Sequence, residues 1–406
     1  MAYTLEHCLR SRLDFPAITK NPGLAFLDGP GGSQVPRAVI DAIADVYTYC
    51  NVNTHGNFGP SREVDRRLGV ARSVVATFLG APDGSCISFG QSMTTLSFNL
   101  SAAIGRTLKA GDEVLVSQLD HEGNRGPWLG LQERGVTVRE VRLMDSGELD
   151  PADMAAKINA RTKLFAVGAS SNSLGTVNDI ALARRLTREV GALLVVDAVH
   201  YAPHFPIDVQ ALGMDYLVCS AYKFYGPHVG VLYSRPGALD NLPTDRLTVQ
   251  DPAAPYRIET GTLNHAAIDG VRAAIEYIAS WGAGATLRDR ILDAMTHISA
   301  YEHDLARYYH VAVRQIPGVR VWGPDFAAGR ARAPTVSISL EKVTATEAAT
   351  ALGDEGICVW DGNFYAERPS QIMGFDQRGG LLRTGISMYN TRDELNRLLE
   401  GIKRLS

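Results

Sequence analysis

The chain has 406 residues, 45% of them apolar, and a formal net charge of −4 with no long run of either sign. That length supports one large core and one smaller one, and the charge balance offers no basic surface for nucleic acid. Five scattered cysteines without a CxxC pair fit reduced thiols better than a disulfide framework or a zinc site. No apolar stretch approaches a membrane span, and the opening MAYTLEHCLRSRLDF has no secretory-signal core, so a cytoplasmic protein is expected.

In chain order, GPGGS (29–33) is glycine-rich but lacks the lysine and hydroxyl pair of a nucleotide phosphate loop. SMTTLSFNLSAAIGR (92–106) predicts a helix, DEVLVS (112–117) a strand, PADMAAKI (151–158) a helix and KLFAVGAS (163–170) a strand. DIALARRLTREV (179–190) predicts a helix, and ALLVVDAV (192–199), DYLVCS (215–220) and VGVLYS (229–234) predict strands apolar on both faces. AAIDGVRAAIEYIASWG (266–282) is helical and leads into a smaller C-terminal region. Such alternation implies an α/β fold: a mostly parallel central sheet covered by helices, with a smaller C-terminal α+β domain. The expected division is a large domain over 26–270 and a small domain over 271–406, with residues 1–25 packing against the small one.

In open α/β sheets, ligands bind beyond the carboxyl ends of the strands. His121, Asn172, Asp197, His200, Ser220 and Lys223 each follow an apolar run and should emerge on one edge. A lysine taken alone reads as a surface loop residue. Lys223 stands between two buried strands, on an edge shared with an aspartate, histidines, an asparagine and hydroxyls, and there a Schiff-base role is the sharper reading. Pyridoxal phosphate needs this set: a lysine, an acid for the pyridine nitrogen, a flat group over the ring, a donor to the ring oxygen and a helix N-terminus for the phosphate. HYAPH (200–204) has two histidines four apart, but Pro203 argues against a helix placing both on one zinc, and Cys219 reads as core.

The stretch DAVHYAPHFPIDVQALGMDYLVCSAYKFYGPHVGVLY (197–233) resembles the class V aminotransferase and cysteine desulfurase group of fold-type I pyridoxal phosphate enzymes. FLDGPGG (26–32), DHEGN (120–124), SNSLG (171–175), IETGT (258–262) and RTGISMYNT (383–391) extend the similarity in order over nearly the whole chain. The resemblance implies roles residue by residue. Lys223 would form the internal aldimine and shuttle protons, Asp197 would pair with the pyridinium nitrogen, and His121 would stack on the ring. Asn172 and His200 would meet the ring oxygen, His200 standing where relatives commonly carry glutamine. Ser220, Tyr222 and the backbone of Ser92 and Met93 would hold the phosphate. Thr262 would reach the phosphate of a neighbouring subunit, implying a homodimer with shared sites. Arg383 would grip the carboxylate of an amino-acid substrate.

The chain departs from the group in its sulfur-handling half. Where desulfurases carry a nucleophilic loop cysteine, VWDGNFYAERP (359–369) has Tyr365, with Trp360 at an arginine position. The family's N-terminal H-R-G motif is altered to THGNFG (54–59), and Cys358 lies in an apolar run that reads as a strand. The expected activity is therefore β-elimination from cysteine or an S-substituted cysteine, with Trp360, Phe364 and Tyr365 near a bulky substituent. Transamination, epimerisation, decarboxylation and desulfuration through another thiol share the same carbanion and stay open. A non-catalytic scaffold has no need of Lys223 and Asp197.

Overall fold

Runs that are apolar at every position cannot leave one face in water, so they belong in the middle layer of a fold covered on both sides. The computed structural model describes residues 2–327 and 329–406, leaving Met1 of the N-terminal segment outside, and it places those runs in such a layer. In chain order the strands are β1 (Ala25–Phe26), β2 (Ile87–Gly90), β3 (Glu113–Ser117), β4 (Thr137–Val141), β5 (Thr162–Gly168), β6 (Leu193–Asp197), β7 (Tyr216–Ser220), β8 (Gly230–Ser234), β9 (Val319–Trp322), β10 (Thr335–Leu340), β11 (Ile357–Cys358), β12 (Trp360–Gly362) and β13 (Leu381–Gly385).

Seven of them form one sheet in the order β2-β8-β7-β6-β5-β3-β4. Strands β3 to β7 are mutually parallel, and β8 is antiparallel to both of its neighbours, so it alone runs backwards. Every residue of β3, β7 and β8 is buried. Strands β2 and β4 are additions to the sequence reading. Ile87–Gly90 is too short to show a period, and β4, at the sheet edge, carries Arg139 and Glu140, as edge strands do.

The helices Met93–Gly105, Pro151–Lys157, Ile180–Glu189 and His265–Ala279 begin at Ser92, Asp150, Asp179 and Asn264, whose side chains accept backbone N–H groups of the first turn. The 27-residue helix Leu287–Val313, about 40 Å long at the usual rise, joins two cores. Ile291, Met295 and Ile298 pack in the core of the large sheet, while Leu305, Tyr309 and Val313 pack under a second sheet. That second sheet is antiparallel, in the order β12-β13-β10-β9.

The N-terminal segment packs at the seam between the two regions. The Tyr3 hydroxyl donates to the Met388 carbonyl at 3.2 Å, Arg12 pairs with Glu394 at 2.8 Å, and β1 pairs in parallel with β11. Phe15 also meets Tyr277, on a helix of the large region, edge-on at 5.7 Å. Both regions therefore hold this segment. Among the described residues no helix is long and apolar enough to cross a membrane.

Candidate active site

The carboxyl ends of the parallel strands lie on one edge, and the reversed β8 starts there. Gly230 is thus in register with Ser220 on one side and Gly90 on the other, and Gly168 lies beside Asp197. A cavity of about 610 Å³ opens between this edge and strands β12 and β13 of the second sheet. Of the thirteen site residues expected from sequence, twelve line it: Ser92, Met93, His121, Asn172, Asp197, His200, Ser220, Tyr222, Lys223, Trp360, Tyr365 and Arg383. Thr262 is exposed on the loop before the helix His265–Ala279 and is not part of this wall.

Lys223 ends a short turn, Ala221–Lys223, that follows β7. Its ammonium donates to the Pro30 carbonyl and lies 4.8 Å from the centre of the Tyr222 ring. Burial, with the nearby positive charge of Arg383, brings the amine down to about 7, while Asp197 and Asp28 oppose the shift. Asp197, the last residue of β6, accepts the Val199 N–H at 2.8 Å. Burial pushes its carboxyl up to about 7, the Asp120 charge adding to the shift and Lys223 opposing it.

His121 caps the helix Glu122–Leu129, its Nδ1 accepting the Gly123 N–H at 2.9 Å. That bond leaves the ring hydrogen on Nε2. Burial, then Lys223 and Arg383, lowers this imidazole to about 4, so it is neutral. Beneath it, buried Asp120 accepts the N–H groups of Gly168 at 2.7 Å and Ser117 at 3.1 Å, tying β5 to β3.

The helix Met93–Gly105 aims its N-terminus at the cavity. Ser92 Oγ accepts the Thr95 N–H, and the Met93 N–H donates to Ser220 Oγ, both at 3.1 Å. This close seating requires glycine at 230, where a Cβ would come 2.3 Å from the Ser92 carbonyl carbon. Free N–H groups and the helix dipole make such a terminus an anion site.

The far wall comes from the second sheet. Arg383 in β13 stands in register between Trp360 and Ser337. Its Nη1 donates to the Asn172 carbonyl at 3.2 Å, its Nε has no partner among the described residues, and burial lowers the guanidinium to about 9. Phe364 and Tyr365 both adopt left-handed backbone, with φ of 61° and 58°. Non-glycine residues hold this conformation only when their surroundings impose it. Here Asn172 Nδ2 donates to the Phe364 carbonyl at 2.9 Å, and the Glu122 N–H donates to the Tyr365 carbonyl at 2.8 Å. Tyr365, 74% exposed, sets its ring 5.6 Å from that of His121 at the mouth.

These residues fit pyridoxal phosphate. Among the described residues Asn172 Oδ1 and His200 Nδ1 are buried without partners, an acid ends the central strand, a lysine amine is held near neutrality, and a helix N-terminus stands beside Ser220. Sequence reasoning did not single out Phe98, which lines the cavity from the second turn of its helix, nor Asp28 and Asp120 as electrostatic partners. Asp28 and Asp120 lie inside motifs that were read for other positions, and Phe98 carries no motif at all.

A family model described as aminotransferase class-V matches residues 25–398. The chain is 34% identical to a cysteine desulfurase from Enterobacter sp. (strain 638), covering 100% of this chain and 99% of that protein. It is 32% identical to a cysteine desulfurase from Serratia proteamaculans (strain 568), with the same coverage. Among solved structures it is similar to the S-sulfonic acid form of the cysteine desulfurase CsdA from Escherichia coli, at 26% identity and a TM-score of 0.85 over 98% of both chains. The apo cysteine desulfurase from Thermococcus onnurineus NA1 superimposes with a TM-score of 0.87 at 25% identity, covering 98% of this chain and 97% of that one.

Proposed function

The chain belongs to the class V aminotransferase family of pyridoxal-phosphate-dependent enzymes, and from that premise we propose that it is a C–S lyase, cleaving cysteine or an S-substituted cysteine by β-elimination. The observation that carries this reading is the chemistry of the cavity wall, in which no cysteine stands among the described residues. Tyr365 occupies the mouth loop. Cys358 lies in β11, outside the wall, with its thiol pushed up by burial and by the Asp28 charge, and the other four cysteines are buried. A thiol held protonated and away from substrate cannot take up sulfur.

Bound pyridoxal phosphate supplies an electron sink for negative charge developed at the substrate α-carbon. The chain's own residues do the rest. The N-terminus of the helix Met93–Gly105, with Ser220 and Tyr222, would hold the phosphate. Asp197 would hold a proton on the pyridine nitrogen, Asn172 and His200 would meet the ring oxygen, and neutral His121 would cover the ring. Arg383 would present its in-plane N–H edge to the substrate carboxylate. Lys223 Nζ would take the α-proton. The Cβ–S bond breaks with its electron pair leaving on sulfur, the thiol gains a proton, and the remaining three carbons add water and release ammonia to give pyruvate. Thr262, exposed and apart from this wall, suits the reading that a second copy of the chain completes the site.

The relatives' shared name favours one other reading, desulfuration, which here would need another thiol, Cys358 or an external one, as the sulfur acceptor. Product analysis separates the two. The loaded enzyme is mixed with L-cysteine and with an S-aryl-cysteine. Pyruvate and ammonia in equal amounts support the lyase; alanine with enzyme-borne or thiol-borne sulfur rules it out.

A further inference from the structure

The imidazole of His200 follows β6 of the large sheet but is held from the second sheet. Its Nε2 lies 3.0 Å from the hydroxyl of Thr335, the first residue of β10. Both residues are buried, at 3% and 0% exposure. The other nitrogen, Nδ1, has no partner among the described residues, and the ring lines the cavity.

Two arrangements satisfy the Nε2–hydroxyl contact. In one, Nε2 carries the hydrogen and donates to Thr335. The threonine hydroxyl hydrogen then needs a separate acceptor, and the contact with His200 is the only side-chain hydrogen bond Thr335 makes among the described residues. A buried O–H without an acceptor costs about 1–3 kcal/mol. In the other, Thr335 donates to the Nε2 lone pair, and the ring hydrogen sits on Nδ1. The second arrangement leaves no orphaned hydroxyl, and its single unpaired group is an N–H in the cavity wall.

A doubly protonated ring is opposed from every side. His204 packs edge-on against His200 at 5.4 Å between centroids and is itself bonded to Glu302 at 2.8 Å. Lys223, Arg383 and Arg332 bring positive charge from three other segments, and burial with these neighbours pushes the His200 imidazole well down. The ring is therefore neutral, and its tautomer is the variable that remains.

We propose that Thr335 is a positioning residue which fixes His200 as the Nδ1–H tautomer, making it a hydrogen-bond donor toward an anionic oxygen of the bound cofactor. The inference rests on the reading that His200 meets the cofactor. Because Thr335 belongs to β10, the donor exists only while the second sheet is seated against the first.

The test reads the ring itself. Full-length protein labelled with ¹⁵N-histidine is loaded with pyridoxal phosphate, and long-range ¹H–¹⁵N correlations are assigned to His200 by their loss in His200→Gln. The expected parent spectrum has a pyrrole-type Nδ1 and a pyridine-type Nε2. Thr335→Ser keeps that pattern, and Thr335→Val, which preserves shape and removes the hydroxyl, loses or mixes it. A parent ring protonated on Nε2, or a pattern unchanged in Thr335→Val, overturns the proposal. If Thr335→Val does not fold, the parent spectrum decides alone. The tautomer is read without turnover, so absence of pyruvate would count against the lyase reading and leave this result intact.

Discussion

The guanidinium carbon of Arg383 lies 4.2 Å from the centre of the Phe364 ring. The ring belongs to the loop in left-handed backbone, and the guanidinium belongs to the strand beside it. One contact thus sets both the mouth of the cavity and the orientation of its cation. Lysine at 383 keeps the charge but loses the planar fork and the stack. Arg383→Lys is expected to lower kcat/KM for an amino-acid substrate by about ten- to a hundredfold, corresponding to about 1.5–3 kcal/mol for a charge-assisted hydrogen bond. The visible band of the bound cofactor should persist. Steady-state kinetics with a spectrum of the same sample checks both halves.

Lys223 predicts a pH-dependent stability. Its amine, ordinarily near 10.5, is lowered to about 7 in the cofactor-free protein. Below pH 7 both folded and unfolded lysine are charged, and the folded state bears the full cost of burying that charge. Between pH 7 and 10.5 the unfolded chain binds the extra proton, so stability rises with pH and the cost fades. Lys223→Met should therefore stabilise the cofactor-free protein below pH 7, on the order of a few kcal/mol. The gap from the parent should close toward pH 10, as read by urea denaturation across that range. A gap that widens with pH would contradict the burial of the charge.

The thiols predict an outcome for chemical labelling. Cys8 is raised to about 11 by burial, and Cys50, Cys86 and Cys358 are raised for the same first reason. Iodoacetamide should leave the native enzyme active, and Cys358→Ala should turn over S-substituted cysteine at the parent rate. Loss of activity in Cys358→Ala, with the fold intact by circular dichroism, would return a nucleophilic role to that residue.

The mouth loop is also tied down beyond its own residues. Arg368, three positions after Tyr365, donates through Nε to Glu140 of β4 at 2.9 Å, and Arg125 binds the same carboxylate. The pair is partly exposed, so its contribution is about 1 kcal/mol. Arg368→Ala should speed amide exchange across residues 363–366 roughly fivefold, the Boltzmann factor for that energy, while leaving exchange in β3 and β6 unchanged. Hydrogen-exchange mass spectrometry resolves the two regions.

Gly230 predicts a cofactor-affinity defect. An alanine methyl there would strike the Ser92 carbonyl carbon, backbone that cannot swing aside. Gly230→Ala should push back the N-terminus of the helix Met93–Gly105 and weaken pyridoxal phosphate binding at least tenfold, about 1.4 kcal/mol. A fluorescence titration of the apo-protein measures it.

Much of this architecture is legible in local sequence, and the residues say why. LLVVD and YLVCS are apolar at nearly every position, so they declare buried parallel strands, and Asp197 and Ser220 declare themselves as polar ends of such runs. β8 was legible as a strand but not in direction, because direction is set by the turn holding Lys223 and not by the run GVLYS. The second sheet's contribution was less visible. Arg383 and Tyr365 stood out only through motif similarity, and Thr335 not at all, since a threonine opening a strand is ordinary until a histidine 135 residues earlier packs against it. Left-handed backbone at Phe364 and Tyr365 has no signature in NFY, because neither residue favours it. Contacts between distant segments write no local pattern.

The N-terminal segment carries a consequence for how the chain comes to be folded. Tyr3, Cys8 and Arg12 find their partners at Met388, Asn390 and Glu394, separations of 385, 382 and 382 residues. The helix Leu5–Arg12 therefore has no docking site until the segment 388–394 has been synthesised. During that interval Phe15, later fully enclosed, has no Tyr389 to cover it. Synthesis order and folding order run opposite at this seam, so slowing elongation gives the segment longer exposure without bringing its partners nearer.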